Sequence, residues 1–525
     1  MSTATPPLSF DFALLMPDVF AHNARIHGDR IAVVCEDERI TWREAHARTN
    51  RFANALRARG LRTGDKVALL MPASLDAWIA FWGTLKAGCV AVPLNVMLDM
   101  NALARLAGNS DAVVIVADTG TEELLDSIRD RLPAITAWLT FGAGAAGWTS
   151  ARAELDAAPD TPCGVAIAPT DISTILYTSG STGEPKGIEH THASRMAYPY
   201  GFGIGLKVDR YSVAVLGTPP YASGTWITMA PVMYTGGTLV ILRSFSAQAW
   251  LTAVERERAT HAFLVPTQFI TILAHEKLRS FDVSSLRALV TAGQPMARRT
   301  YDEIVAAFPS SGLYEVYGAT EGFATLRTPE DAARGKQNSV GTSLFLDDIR
   351  VIGEDLTEVA AGQTGEIVAR ALMMMTGYYK NPRRTQETTW VAPDGRTFMR
   401  TGDVGHMDTD GFVHVSGRLK DMIKSGGHNI FAIDIEDVFM RHPDVSECAG
   451  IGEPHDKWGE TPVLVVLLRP GGTVDAQTLR EWGNLQLAKY QRVSRVEIRE
   501  ELPRAVYGKI AKHELRTEFA QGKGQ

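Results

Sequence analysis

The chain has 525 residues, of which 45% are hydrophobic and 22% charged, and its formal net charge is −7. This composition predicts a globular protein of about three or four folding units and excludes a disordered or collagen-like chain. The acidic balance gives no global electrostatic case for nucleic acid, although a local basic patch stays open, and four widely spaced cysteines favour reduced thiols over a zinc module.

The two ends of the chain carry no recognisable targeting signal. No basic segment followed by an apolar one opens the sequence, and no window approaches about 18 uninterrupted apolar residues. The last residues, GKGQ, match neither a lipidation motif nor a peroxisomal address. We therefore expect no membrane span and a cytoplasmic location.

Short apolar runs alternate with helical stretches through the first part of the chain. A helical stretch at 44–59 is followed by a strand at 66–71, a helix at 75–86 and a strand at 88–93. This order predicts βαβ units and a mostly parallel sheet. The same pattern recurs in four later strands and in a helix after Pro266; the strands are 212–216, 238–242, 262–265 and 288–291.

The last part of the chain changes character twice. From residue 365 short strands (365–369, 411–415) alternate with Gly and Asp turns, which predicts a small β-rich subdomain. After Gly417-Arg418 the sequence predicts a helix, a strand, a second helix and a basic tail; the first three lie at 435–440, 463–468 and 476–488. Residues 489–516 hold eight basic and four acidic side chains, which fits either a solvated surface or a lobe that closes over polyphosphate.

The strongest motif is YTSGSTGEPKG at 177–187, directly after the apolar strand 172–176. Its glycines let backbone N–H groups approach a polyanion, its hydroxyls add donors, and Lys186 adds positive charge. Lys186 is followed by Gly187 and not by Ser or Thr, so the segment is no Walker A motif. It predicts a phosphate-binding loop, with a flexible surface loop as the alternative.

Five further segments follow in chain order: YGATE (317–321), GEIVAR (365–370), TGDVG (401–405), GRLKDMIKSGGHNI (417–430) and PRAVYGKI (503–510). With these segments the sequence resembles the adenylate-forming superfamily of acyl-CoA synthetases, adenylation domains and luciferase-like enzymes. The resemblance implies an α/β fold with a large N-terminal domain (1–416) of parallel βαβ sheets plus a small β-rich subdomain. A hinge (417–420) and a small mobile α+β C-terminal domain (421–525) would follow.

The resemblance also implies a set of site residues. Thr178, Glu321 and Lys509 would be catalytic; Glu321 would bind Mg²⁺, and Lys509 would bridge the acid and the α-phosphate of ATP. Asp403 would contact the ribose hydroxyls, Arg418 would be a second ribose contact or a phosphate contact, and Lys420 would be the hinge. The implied ATP-binding residues are Thr178, Ser179, Gly180, Ser181, Thr182, Gly183, Lys186, Gly293, Gln294, Pro295, Tyr317, Gly318, Ala319, Thr320, Asp403, Arg418 and Lys509.

Several of these residues also have an alternative interpretation in which they serve no functional role. A carboxylate is a hard oxygen ligand suited to Mg²⁺, but a lone Glu321 can equally be a solvated charge. Asp403 can be a turn former, Arg418 a surface residue and Lys509 an exposed lysine. The loop Lys424, Ser425, Gly426 and Gly427 would admit the CoA thiol to the adenylate, or it is an ordinary Gly-Gly turn.

The acid pocket departs from the family pattern. The implied pocket residues are Tyr221, Ala222, Trp226, Phe269, Gly293 and Gly318; Met229 and Met233 are better explained as core. The family commonly has an aromatic-His pair where this chain has Tyr221-Ala222. With no cation assigned to the pocket, the sequence favours an apolar-bodied aliphatic or aromatic monocarboxylate.

The sequence therefore predicts an AMP-forming acid–thiol ligase. ATP, Mg²⁺ and CoA would be used to convert a carboxylate first to acyl-AMP and then to acyl-CoA. The alternatives are a stand-alone adenylation enzyme that loads a carrier protein and a non-catalytic nucleotide-binding protein. Retention of the basic and acidic site residues argues against the last of these.

Overall fold

The structure is a computed structural model, and it describes residues 14–142, 144, 146–178, 186–219, 222–344, 347–504 and 510–522. The chain divides into two compact units, one of residues 1–176 and 188–244 and the other of residues 177–187 and 245–525. Within the described residues, no helix combines the length and the hydropathy needed to cross a membrane.

The first unit contains strands grouped in two sheets. Its strands are β1 (Ile31–Cys35), β2 (Glu38–Thr41), β3 (Lys66–Leu70), β4 (Val90–Pro93), β5 (Ala112–Ala117), β6 (Ala137–Thr140), β7 (Thr149–Ser150), β8 (Ile172–Thr178), β9 (Lys186–Thr191), β10 (Val213–Leu216) and β11 (Thr238–Ile241). The last residues of β8 and the first two of β9 belong to the segment 177–187, which is assigned to the second unit. One sheet follows the order β9-β8-β4-β3-β5-β6-β7 and the other the order β2-β1-β11-β10. Strands β3, β4, β5 and β6 pair in parallel, as the βαβ pattern predicted.

Helices cover the sheets of this unit. They are α1 (Met16–Ile26), α2 (Trp42–Ala58), α3 (Leu75–Lys86), α4 (Met100–Asn109), α5 (Glu122–Asp126), α6 (Ala151–Ala157), α7 (His192–Gly205) and α8 (Trp226–Tyr234). Helix α2 begins with a capping box, in which the Glu44 N–H donates to Thr41 Oγ1 (3.2 Å) and the Thr41 N–H donates to Glu44 Oε2 (2.7 Å). Aromatic side chains from α1, α3 and α8 pack against one another in the core at tilted or edge-on angles, and they include Phe20, Trp78, Phe81, Trp82 and Trp226.

The second unit begins with a mixed sheet. Its elements are α9 (Ala247–Glu257), β12 (His261–Leu264), α10 (Pro266–Leu273), β13 (Ala288–Ala292), α11 (Arg298–Ala307), β14 (Gly312–Ala319), β15 (Phe323–Arg327), α12 (Pro329–Asp331) and β16 (Thr342–Ser343). Strands β12, β13 and β14 are parallel, whereas β15 and β16 run antiparallel to their neighbours. Residues Thr320, Glu321 and Gly322 form the tight connection between β14 and β15.

A β-rich subdomain follows, as predicted. It contains β17 (Asp348–Ile352), β18 (Gly365–Arg370), β19 (Gly377–Tyr378), α13 (Pro382–Glu387), β20 (Thr389–Val391), β21 (Thr397–Met407) and β22 (Val413–Arg418). The sheet order is β17-β18-β21-β20, and β22 pairs with β21. The predicted strand 411–415 begins too early, because Gly411 has φ +83° and its N–H donates to Asp408 in a turn.

The C-terminal part has its own sheet and helices. Its elements are β23 (Met422–Ser425), β24 (His428–Phe431), α14 (Ala432–Phe439), β25 (Val445–His455), β26 (Gly459–Leu468), α15 (Ala476–Asn484), β27 (Arg495–Arg499) and α16 (Lys512–Ala520). The predicted helix 476–488 ends early at Asn484, whose side-chain amide bonds to both the N–H and the carbonyl of Val493. The α/β class with parallel sheets and small β-rich parts is confirmed.

Candidate functional site

A buried carboxylate lies where strands β21 and β22 pair. Asp403 and Arg418 are directly opposite each other in the register, and Arg418 Nε donates to Asp403 Oδ1 at 2.8 Å. The Tyr317 hydroxyl donates to the other oxygen, Oδ2, also at 2.8 Å. These two contacts hold the Asp403 carboxylate in one orientation.

Burial and nearby charges fix the protonation states of Tyr317 and Arg418, the two partners of Asp403. Asp403 is 5% exposed, whereas the side chain of Arg418 is 50% exposed. Burial, followed by the Asp403 charge, raises the pKa of Tyr317 well above its usual value, so the phenol remains a donor. For Arg418 burial acts to lower the pKa, but the Asp403 and Asp421 carboxylates outweigh it and raise the pKa.

Glu321 lies in the connection between β14 and β15. The Tyr378 hydroxyl donates to Glu321 Oε1 at 2.7 Å, and the Met375 N–H donates to the Glu321 carbonyl at 2.7 Å. The next residue must be glycine, since Gly322 has φ +104° and a Cβ there would lie 1.9 Å from the Met373 carbonyl oxygen. The backbone therefore presents this carboxylate in one defined position.

Basic side chains lie near the Glu321 and Asp403 carboxylates. Burial, with the positive charge of Arg384 next in importance, lowers the pKa of Lys186 to about 8, while Glu321 acts in the opposite direction. Lys420 and Arg418 lower this pKa further, which places four basic groups within electrostatic reach of one another. Such a concentration of like charge beside carboxylates is typical of a site for a polyanion that neutralises it.

The exit of the predicted phosphate loop is attached to the same cluster. The Tyr379 N–H donates to the Gly187 carbonyl at 2.8 Å, and the Lys186 Nζ lies 5.8 Å from the Tyr378 ring centroid. The neighbouring residues Tyr378 and Tyr379 therefore connect the Glu321 carboxylate with the strand that leaves the loop.

The structure gathers several further candidates at one sheet edge. Gly293, Gln294 and Pro295 follow β13, and Tyr317, Gly318 and Ala319 end β14, with Thr320 next. Since β13 and β14 are parallel neighbours, their carboxyl ends lie at the same edge, where α/β sheets bind ligands. Thr178 is the last residue of β8, and Ser179, Gly180, Ser181, Thr182 and Gly183 lie outside the described residues.

The acid-pocket candidates are distributed over both units. Ala222 and Trp226 are buried in the first unit and Phe269 in the second. Tyr221, like Lys509, lies outside the described residues. The two methionines of α8, Met229 and Met233, are fully buried, as expected of core residues.

Residues 424–427 form a two-residue hairpin turn between β23 and β24. Ser425 pairs with His428, and Gly426 and Gly427 have φ +56° and +82°, as a tight hairpin turn requires. The Lys424 side chain and both glycines are exposed. Lys420 is exposed as well, in the short helical turn Leu419–Asp421 that precedes β23.

The basic tail is neutralised locally. Of its eight basic residues, five bind carboxylates of the second unit: Arg495 binds Glu453, Arg499 binds Glu518, Arg504 binds Glu447, Lys512 binds Glu436 and Arg516 binds Asp421. The charge excess at 489–516 therefore reflects surface ion pairs more than a free cationic face.

Tyr378 and Arg384 were missed by the sequence predictions. Both lie around the short helix α13, in a segment whose composition resembles an ordinary surface loop. Arg384 carries a buried Nε without a hydrogen-bond partner among the described residues, and its Cζ lies 5.5 Å from the Tyr378 ring centroid. Only the fold brings Tyr378 to Glu321 and Arg384 to Tyr378.

The donor set can be compared with the needs of Mg²⁺. No group of three or more His, Cys, Asp or Glu side chains among the described residues is arranged to hold a metal ion. Mg²⁺ bound with a nucleotide keeps several waters and takes one or two carboxylates, so the oriented Glu321 carboxylate fits this ion.

Comparisons with known proteins identify the family. The model of AMP-binding enzymes matches residues 20–379, and the model of the AMP-binding enzyme C-terminal domain matches residues 434–509. The chain belongs to the AMP-binding enzyme family. The predicted membership of the adenylate-forming superfamily is thereby confirmed.

Relatives of this AMP-binding enzyme extend over nearly the whole chain. Feruloyl-CoA synthase of Amycolatopsis sp is 34% identical, covering 91% of this chain and 94% of its own. Long-chain-fatty-acid–CoA ligase FadD13 of Mycobacterium tuberculosis is 32% identical, covering 92% and 94%. The crystal structure of ATP-bound MatB from Rhodopseudomonas palustris superposes with a TM-score of 0.86 at 26% identity, covering 97% of this chain and 99% of that one.

Proposed function

We propose that this AMP-binding enzyme is an ATP-dependent acid–CoA ligase. It converts a carboxylate and ATP to acyl-AMP and pyrophosphate, and then transfers the acyl group to CoA with release of AMP. The relatives that are CoA ligases confirm the predicted class of AMP-forming acid–thiol ligases. The observation that carries the proposal is the Asp403 carboxylate held between Tyr317 and Arg418. Tyr317 precedes Glu321 in the same segment, and Arg418 is one of the cations whose charge acts on Lys186.

Each group on the nucleotide side has a proposed role. Asp403 accepts hydrogen bonds from the ribose hydroxyls, and Arg418 keeps that carboxylate oriented. Lys186 and Arg384 offset the negative charge of the phosphates. In the free protein, Glu321 supplies only part of the negative charge that these two cations need. The loop Thr178–Gly183 contributes backbone and hydroxyl donors to the same phosphates.

Glu321 would hold the Mg²⁺ that accompanies ATP, oriented by the Tyr378 hydroxyl. When bound, this ion neutralises phosphate charge and favours departure of pyrophosphate. The hydrogen bond from the Tyr378 phenol to one oxygen would hold the Glu321 carboxylate in place for such an ion.

The C-terminal part supplies the second half of the proposed reaction. Lys509 carries positive charge to the reacting carboxylate and α-phosphate during adenylation, and the exposed hairpin turn of Gly426 and Gly427 admits the CoA thiol afterwards. One chain segment cannot present both groups to the same acyl carbon at once. We therefore assign the boundary between residues 1–416 and 421–525 to a hinge at 417–420, centred on Lys420.

The function is tested by pyrophosphate release from ATP across a panel of aliphatic, aryl and aryl-alkenoic acids, with and without CoA. We expect acid-dependent release, and acyl-CoA only when CoA is present. Asp403→Ala should abolish release, whereas Asp394→Ala, which removes an exposed carboxylate paired with Arg396 in the same subdomain, should not. Acid-dependent release without thioester formation would favour a carrier-protein loader, and no release with any acid would refute the proposal.

A further inference from the structure

Large apolar side chains are exposed at the ends of two helices of the first unit. Ile26 is the last residue of α1, and Ile204 lies in the last turn of α7, one turn after Tyr200. Tyr211 follows α7 in the next loop. Ile204 is 70% and Tyr211 61% exposed, and Ile26 and Tyr200 are exposed as well. Because apolar side chains stabilise a fold by leaving water, these four contribute little to the folding of this unit.

Hydrogen bonds and ring contacts join these helix ends into one surface. The rings of Tyr200 and Tyr234 lie 5.6 Å apart, which connects α7 with the last residue of α8. Beside Tyr234, the Thr235 hydroxyl donates to the Asp209 carbonyl in the loop after α7 at 3.0 Å. The Asn23 side chain of α1 donates to a carbonyl of α8 at 2.7 Å. We call this surface the helix-end face, and it comprises residues 25–30, 200–211 and 234–235.

Three arginines of the helix-end face lack a counter-charge. Arg25, Arg30 and Arg210 form no ion pair among the residues that the structure describes. The Cζ atoms of Arg30 and Arg210 lie 5.3 and 5.0 Å from the ring centroid of Tyr211, and Arg30 Nη2 donates to the Arg210 carbonyl. These contacts hold two guanidiniums beside an exposed aromatic ring and leave their charge without a carboxylate.

The helix-end face is locally positive, although the whole chain carries a net charge of −7. Its residues include four arginines and lysines but only two carboxylates, and one of these, Asp29, is paired with Arg43 outside the face. Burial lowers the pKa of His27, and the charges of Arg30 and Arg210 lower it further, which reports the positive potential at this place. The charge of the face therefore complements an anionic partner.

The mixture of side chains indicates which anionic partner fits. A two-fold contact between copies of this chain would place the unpaired arginines of one copy against those of the other. A nucleic acid would pair with the arginines but would leave the protruding isoleucines without an apolar partner. The surface of a bilayer with anionic lipid offers both phosphates for arginine and an acyl boundary for isoleucine, and tyrosine is enriched at this depth.

We propose that the helix-end face docks on a membrane surface that contains anionic lipid. Ile26 and Ile204 enter the boundary between headgroups and acyl chains. Tyr200 and Tyr211 lie among the headgroups, and the arginines contact the lipid phosphates. The inference concerns the first unit alone and does not depend on the proposed ligase reaction.

The test is flotation of the full chain with two kinds of vesicle: phosphatidylcholine alone, and phosphatidylcholine with phosphatidylglycerol in equal parts. Binding to the mixed vesicles should exceed binding to phosphatidylcholine by about tenfold or more at low ionic strength, since each cation near an anionic surface contributes about fivefold. High salt should weaken binding, because it screens exposed charges. Equal binding to both vesicles, or binding to neither, would overturn the proposal.

The charged part of the face is tested by the double variant Arg30→Gln, Arg210→Gln. It should lower the partition of the protein onto mixed vesicles by about tenfold or more. The double variant Arg298→Gln, Arg299→Gln is the matched control, because it removes the same charge from two exposed arginines of α11. An equal decrease in both double variants would mean that only the total charge matters and would overturn the proposal.

The apolar part is tested by Ile204→Gln, at an exposed position where the substitution leaves the core intact. It should lower binding to mixed vesicles by about fivefold, whereas Ile270→Gln, at an exposed isoleucine of α10, should not. Unchanged binding in Ile204→Gln would exclude insertion of this face. Dimers that Ile204→Gln dissociates, in the absence of vesicle binding, would identify the face as an interface between copies and would also overturn the proposal.

Discussion

The lowered pKa of Lys186 predicts that ATP affinity depends on pH in the alkaline range. In the free protein the pKa of Lys186 is about 8, so the ammonium is largely charged at pH 7 and largely neutral at pH 9. Bound polyphosphate favours the charged form, and a neutral lysine must therefore take up a proton when ATP binds. The apparent Kd for Mg·ATP then rises by a factor that grows with the neutral fraction of the free protein.

The magnitude follows from this pKa. Between about pH 7 and about pH 9 the charged fraction of a group with a pKa of about 8 falls by about tenfold, so the apparent Kd should rise about tenfold. ATP keeps its charge over this range. The assay is calorimetric titration of Mg·ATP, since the heat also reports the proton that is taken up.

Two lysine variants decide whether Lys186 is responsible. Lys186→Arg should bind ATP with little dependence on pH, because a guanidinium keeps its charge throughout the range. Lys420→Arg is the matched control: although its side chain is exposed in part, desolvation of its ammonium lowers the pKa of Lys420, with Arg418 and Arg516 adding to this effect. A pH dependence that persists in Lys186→Arg, or that disappears only in Lys420→Arg, would refute the assignment.

Three further predictions concern metal, adenylation and domain motion. Glu321→Gln should raise the Mg²⁺ concentration needed for half-maximal pyrophosphate release by about tenfold, since an amide is a poorer ligand than a carboxylate; an unchanged requirement would remove Glu321 from the metal site. Lys509→Ala should reduce adenylate formation by about a hundredfold or more while thioester formation from supplied acyl-AMP continues; near wild-type adenylation would contradict its role. Lys420→Pro should impair acyl-CoA production from isolated acyl-AMP more than single-turnover pyrophosphate release, because proline fixes φ in the hinge; equal loss in both steps, or none, would argue against the hinge.

Local sequence signals predicted secondary structure well where caps and apolar spacing agree. Helix α3 has the predicted bounds, Leu75–Lys86, because its apolar residues recur with helical spacing and Ser74 caps its first turn. The early end of α15 was missed, since it depends on the bonds between Asn484 and Val493 and not on the pattern of the helix itself.

The hydrogen-bond partners of the candidate site residues could not be predicted from the sequence. Asp403 and Glu321 were predicted as site residues because they lie in recognisable segments, but Tyr317 is 86 residues from Asp403 in sequence and Tyr378 is 57 residues from Glu321. Strand register and hairpin geometry create these contacts, and neither can be calculated from a single segment.

The division of the chain into two compact units has an evolutionary consequence. The described residues proposed to bind the nucleotide, among them Lys186, Tyr317, Glu321 and Asp403, belong to the second unit, whereas two candidates for the acid pocket, Ala222 and Trp226, belong to the first. We therefore expect substitutions at these two positions to change which acid is accepted while the residues proposed for ATP are inherited unaltered. Exchange of residues 222–234 between relatives would then be a compact route to new acid selectivity.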